Sequence, residues 1–246
     1  MQTRSIIYLL LLLVSAMASQ AQQQFITHGK IEFERKVNQH SFLEEGSIWN
    51  DMMKKNTPKF NTAYFDLYFK DGILLYKNGR EPETRQNKVW GVFIAENTIQ
   101  TNLETDSATT QKDIQNDLYL ISTPLRKVEW KIGNEIRKIA GFDCRKAVGK
   151  IMDSIVVIAF YSDEILPSGG PESFSGLPGM ILGLAIPRMH TTWYATKLEL
   201  IEVSDKELVA PKKGKKYTGD AFQVQLKDIM KNWGDEGKRL IPQILL

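Results

Sequence analysis

The sequence predicts a mainly β protein: a strongly curved antiparallel sheet or half-open barrel, with one or two helices packed on its concave face. Three observations carry that expectation. Apolar residues alternate with a period of two along most of the chain, Gly, Asn and Asp separate the runs, and only two segments show helical spacing. Parallel pairing would need a crossover helix between most strands, and ten or more twisted strands curl rather than lie flat. A closed sandwich is the other architecture the pattern allows.

Residues 1–21 precede the fold. Arg4 is followed by the uncharged run SIIYLLLLLVSAMA, with Ser19 and Ala21 at the small-residue positions before a cleavage site, which describes a secretory signal peptide. Its apolar core is shorter than the ~20 residues of a spanning helix. No cysteine lies near the site to take a lipid, so the mature chain, residues 22–246, is expected to be a single periplasmic or secreted domain without a transmembrane span.

GKIEFERKV, from Gly29, sets Ile31, Phe33 and Arg35 on one face and predicts the first strand. Ser41 to Lys55 loosens toward a helix, with Ser41 and Glu44 at capping-box spacing. In TAYFDLYFK, Ala63, Phe65, Leu67 and Phe69 share a face; Asp71 and Gly72 then turn the chain into ILLYKNG, a hairpin. Short strands are predicted at WGVFIA from Trp90, TIQTNL from Thr98 and DLYLIS from Asp117. VEWKI alternates from Val128, and Gly133 with Asn134 supplies turn chemistry for a second hairpin. SIVVIAFYS, Ser154 to Ser162, is apolar on both parities and predicts an interior strand. TTWYATKLELIEV, Thr191 to Val203, is the last long one. After a possible N-cap at Thr218, Phe222, Leu226, Ile229, Met230 and Trp233 recur at helical intervals.

The stretch GGPESFSGLPGMILGLAIP, Gly169 to Pro187, puts five glycines and three prolines beside an apolar run. Pro178 and Gly179 suit the central positions of a type II turn, leading into the strand MILGLAI, where Gly183 marks a bulge or a close approach. The corner is then either a stiff loop feeding a buried strand or an apolar lip that touches a ligand or partner. On the second reading the contact residues are Phe174, Gly176, Leu177, Pro178, Gly179 and Met180.

GLPGMI at Gly176–Ile181 resembles the signature of the GLPGLI family of exported Bacteroidetes proteins, with Met180 in place of Leu. IRKIAGFDCRKA from Ile136, FYSDEILPSGGPESF from Phe160 and TTWYATKLEL from Thr191 extend the likeness over Trp130 to Leu200. The resemblance implies a periplasmic or secreted protein of a family without an established biochemical role, and it carries over no catalytic residue.

Composition and motifs exclude several classes. Without the signal the chain is nearly neutral, and its one basic cluster, Pro211 to Lys216, reads as a solvated loop, so no nucleic-acid partner is expected. The single cysteine, Cys144, rules out an internal disulfide. His28, His40 and His190 lack metal-site spacing, and neither a phosphate loop nor a GxSxG elbow occurs. No metal, cofactor or enzymatic activity is therefore expected. The function anticipated is binding of an apolar small molecule, a lipid or an outer-membrane protein partner. The alternative is a Cys144- and His190-dependent hydrolase or metal-handling protein.

Overall fold

A computed structural model describes residues 25–43, 45–83, 96–114 and 116–246. The expected signal peptide, the Trp90 strand candidate and Glu44 of the expected capping box lie outside the described residues.

Among the described residues twelve strands form one sheet that does not close into a barrel. They are β1 (Gly29–Asn38), β2 (Phe60–Lys70), β3 (Ile73–Asn78), β4 (Thr98–Asn102), β5 (Ser107–Ile114), β6 (Asp117–Pro124), β7 (Lys131–Ile139), β8 (Phe142–Ile151), β9 (Ile155–Ser162), β10 (Met180–Ile186), β11 (Thr191–Glu199) and β12 (Lys215–Thr218). Their order is β12-β6-β5-β4-β3-β2-β1-β11-β10-β9-β8-β7. β1 is thus flanked by two antiparallel meanders, one running out to β6 and the other returning from β7 to β11. Only β12 joins in parallel, beside β6.

The hairpins form where local chemistry favours turns that match strand twist. Asp71 and Gly72 both take positive φ between Lys70 and Ile73, as a two-residue primed turn requires. The second hairpin departs from expectation. Gly133 and Asn134 lie inside β7, absorbed by a register irregularity between Ile132 and Ile136, and the chain reverses instead at Ala140 and Gly141, again both at positive φ. Gly183 marks a register shift in β10, and β9 lies in the sheet interior as its apolar parity requires.

Among the described residues three α-helices accompany the sheet. α1 (Ile48–Asn56) starts seven residues later than the sequence suggested, because Gly46 at φ +82 interrupts the chain and the Ser47 side chain caps Asn50 N–H. No residue of α1 is buried, and Ile48, Trp49 and Met52 are exposed. α2 (Gly219–Met230) is capped by Thr218 as expected; Trp233 falls beyond its end, and α3 (Gly234–Ile244) follows. Phe222, Leu226 and Met230 of α2 pack with Leu240 and Ile244 of α3 on Ile114, Tyr119 and Ile121 of β5 and β6. Among the described residues no helix is long and apolar enough to cross a membrane.

The main core runs along one sheet face, from Phe33, Phe65 and Ile99 to Cys144, Val157, Leu182 and Trp193. Lys215 and Lys216, expected in a solvated loop, belong to β12, although their side chains stay exposed. β11 stops at Glu199, and the chain after it crosses the opposite face to bury Val203 and Leu208 against Leu75.

Candidate functional site

The Gly169–Pro187 segment is a wedge whose tip is held by two main-chain hydrogen bonds and one from a tryptophan side chain. Ile181 N–H donates to Gly169 O at 2.7 Å, Met180 N–H to Ile165 O at 3.0 Å, and Trp130 Nε1–H to Ser175 O at 2.9 Å. The expected type II turn is not closed, because Met180 N–H bonds Ile165 rather than Leu177. Instead Gly179 N–H reaches Leu177 O at 2.8 Å. Gly179 has φ +139, and a Cβ there would lie 2.1 Å from Ser162 O, so the residue is fixed both by conformation and by the approach of β9's end.

This packing decides where the expected contact residues lie. Phe174, Leu177, Gly179 and Met180 are buried, and only Gly176 and Pro178 reach the surface. The apolar members brace the corner from within.

The wedge also carries a carboxylate into the interior. Glu172, in the turn Pro171–Ser173, takes φ +52, ψ +36 and is 1% exposed. A bulky residue in that left-handed conformation is uncommon and requires the surroundings to impose it. Its Oε2 accepts from Asn97 Nδ2 at 2.7 Å. Tyr76 lies in the field of Glu172 and of Arg35, and burial with the Glu172 charge pushes its phenol well above the usual range. The Tyr76 hydroxyl and the neighbouring Trp193 Nε1 close no good hydrogen bond among the described residues.

One buried and one half-buried cation lie in the field of Glu172. Lys112 comes from β5, where Ala108, Lys112 and Ile114 point inward; it is 3% exposed and donates to the Ile244 carbonyl. Burial lowers its amine to about 8; Glu172 opposes that shift and Arg126 adds to it. Arg126, just after β6, donates Nη2–H to Leu246 O at 3.1 Å, and its guanidinium lies 4.6 Å from the centroid of the Phe174 ring. Burial brings it down to about 10. Arg126 Nη1 has no hydrogen-bond partner among the described residues.

Beside these cations opens a cavity of about 520 Å³, lined by Lys112 and Arg126 with apolar walls from Ile121, Phe222, Ile244 and Leu245. A basic groove of about 670 Å³ adjoins it and shares Arg126, Met152 and Asp153. The arrangement brings Lys112, Arg126 and apolar walls to one cavity, with the buried Glu172 carboxylate in reach of both cations' fields.

Residues 148–183 match the model of a family described as a protein of unknown function, Porph_ging. That match covers less than half of the chain, and it spans both Glu172 and the GLPG corner. No curated protein matches. PNGF-II, solved in two space groups, is similar at TM-score 0.53 in both. Identity is 14% in one, over 81% of this chain and 33% of that one, and 15% in the other, over 80% and 32%. The chain therefore spans about a third of the PNGF-II length, and at this identity the likeness is one of fold. An uncharacterized conserved protein from Thermus thermophilus aligns at TM-score 0.40 and 7% identity, over 83% of this chain and 98% of that one.

Sequence reasoning missed Lys112, Arg126 and Glu172. Lys112 carried one signal, since Ala108 and Ile114 share its parity, but Ser107–Ile114 is too polar to stand out as a strand. Arg126 and Glu172 sit in connections that carry none.

The Cys144–His190 pairing gains nothing from the geometry. Cys144 is fully buried in β8, its thiol 3.5 Å from the Phe142 carbonyl oxygen, and burial pushes its pKa up to about 12. His190 is exposed after β10, its ring edge-on to Phe42 at 5.3 Å. Among the described residues no three His, Cys, Asp or Glu side chains cluster for a metal. A thiol about three units above its ordinary value carries about a thousandfold less thiolate at neutral pH. Iodoacetamide labelling of Cys144 is therefore expected to be slower by at least that factor in the native protein than in urea. Comparable rates in the two states would return the thiol to consideration.

Proposed function

We propose that this chain is an exported, non-enzymatic binding protein of the periplasm or the exterior, and that its ligand is an apolar small molecule or lipid. The observation that carries this reading is the 520 Å³ cavity, whose apolar walls join the sheet to the C-terminal helices. The N-terminal leader pattern supports export.

A strongly curled sheet is part of the proposal. β6 and β7 stand ten strand spacings apart in sheet order, ~48 Å if the sheet were flat. The link from Pro124 to Lys131 can span at most ~25 Å. The cavity draws residues from both halves of the sheet, Lys112 of β5 and Met152 of the β8–β9 turn, which favours a bowl closed by that link.

Phe174, Gly179 and Met180 then act in binding as supports; Phe174 lies beneath the Arg126 guanidinium. An outer-membrane protein partner is the second occupant this reading allows. Gly176 and Pro178 at the corner and the exposed Ile48, Trp49 and Met52 of α1 are the surfaces open to it.

Titration of the mature protein with the neutral fluorophore N-phenylnaphthylamine tests the ligand reading. Saturable uptake of one probe per chain is expected, and it should be lost in Thr110→Trp, which fills the cavity from β5. Native mass spectrometry of protein recovered from envelopes would show a small-molecule adduct. A protein adduct without probe uptake would favour the partner, and absence of both would end the proposal.

A further inference from the structure

We propose that α1 seats the protein on the surface of a zwitterionic phospholipid bilayer, with Ile48, Trp49 and Met52 entering the boundary between headgroups and acyl chains. This surface uses none of the residues that line the cavity and goes beyond the ligand reading above.

The argument begins with the way the helix faces. At 3.6 residues per turn, Ile48, Met52 and Trp49 fall on one side of α1 and Asn50 and Lys54 on the other. A surface helix ordinarily turns its apolar stripe to the core. α1 does the reverse. Asn50, Met53 and Lys54 are half-buried, while Ile48 is 89% exposed, Trp49 61% and Met52 44%. Both ends of the helix are tied in this orientation. Ser47 caps Asn50 N–H, Thr57 Oγ1–H donates to Met53 O at 2.7 Å, and His40 Nε2 lies 3.0 Å from Thr57 O. Phe60, at the start of β2, adds a second exposed aromatic ring just after the helix.

Size and charge choose the partner. α1 is about 14 Å long and offers three outward apolar side chains. A stable protein interface, including one with a second copy, takes ~20 to 30 residues and ~800 Å² on each side. A bilayer asks for less: an apolar helix face sunk ~5 to 10 Å into the headgroup boundary, where a tryptophan ring is at home. Charge then selects the lipid. From Ser41 to Phe60 the sequence sets three lysines, Lys54, Lys55 and Lys59, against three acids, Glu44, Glu45 and Asp51. A segment without net charge matches a surface without net charge.

Flotation of the mature chain with phosphatidylcholine–phosphatidylethanolamine vesicles tests the inference. The wild type should float with the lipid, equally at low and high salt. Brominated acyl chains should quench its tryptophan fluorescence, and Trp49→Phe should float yet lose that quenching. Replacing Ile48, Trp49 and Met52 together by serine should lower the partition coefficient at least tenfold. These positions are exposed, so an unchanged urea midpoint would establish that the triple variant folds. Absence of wild-type flotation, or a steep loss of binding in salt, would overturn the seat. So would a wild-type dimer in sedimentation velocity that the triple variant dissolves, because the face would then join two copies. Thr110→Trp, which fills the cavity, separates this inference from the ligand reading. Flotation unchanged in that variant supports the seat. Flotation lost there but kept in the triple variant would put the lipid in the cavity and overturn it.

Discussion

Gly179→Ala is expected to lower stability by about 3 to 5 kcal/mol, enough to unfold a marginal domain, because two independent costs coincide at one residue. The backbone sits at φ +139, where an L side chain is strained, and the new Cβ would stand 2.1 Å from Ser162 O and 2.8 Å from Asp163 Cα. Both obstacles are main chain, so no rotamer change relieves them. Relief would move the end of β9 away from Met180, which it pairs through Ser162, and would loosen the wedge that carries Glu172. Gly141→Ala is the control. It also has positive φ, +93, but nothing lies within 4 Å of the added carbon, so the expected loss is about 1 kcal/mol. Urea unfolding midpoints of the two variants check this; equal shifts would mean that the close approach at Gly179 contributes nothing.

That contrast also marks what the sequence disclosed. Turn chemistry and period-two alternation are local, so the Asp71–Gly72 hairpin and the strands at Gly29, Phe60, Thr98 and Met180 were legible from composition and spacing. Gly133–Asn134 misled because the same dipeptide serves a turn or a bulge, and only pairing with β8 selects the bulge. β5 was hidden for a related reason. Thr109, Thr110 and Gln111 are half-buried rather than apolar, and the strand is identified by its neighbours β4 and β6, not by its own pattern.

The site was less legible than the fold, because it is assembled from distant parts. Glu172, Lys112, Arg126 and Asn97 come from four separate stretches, and each reads alone as an ordinary surface residue. The GLPG corner was visible as stiff backbone, but stiffness does not say which side chains face out. Leu177 and Phe174 turned inward because the corner packs on the sheet; Trp130 bonds Ser175 and Phe174 lies against Arg126.

Lys112→Met should remove a pH dependence that the wild type is expected to show. In the folded chain the Lys112 amine titrates at about 8, against its ordinary 10.5, so between those values the unfolded chain holds more proton than the folded one. Stability must therefore rise with pH across that window, and the cost of the buried charge is in full force below about pH 8. Between pH 7 and about 9.5 the wild type should gain about 2 kcal/mol relative to Lys112→Met, which has no amine to titrate. Arg126, lowered to about 10, begins to contribute only above that range, and Glu172 keeps its Asn97 hydrogen bond in both proteins. Urea unfolding at several pH values gives the difference directly. Parallel curves would mean that Lys112 is hydrated in the folded chain. A rising difference would show a charge kept in the interior at a cost to the fold near neutrality.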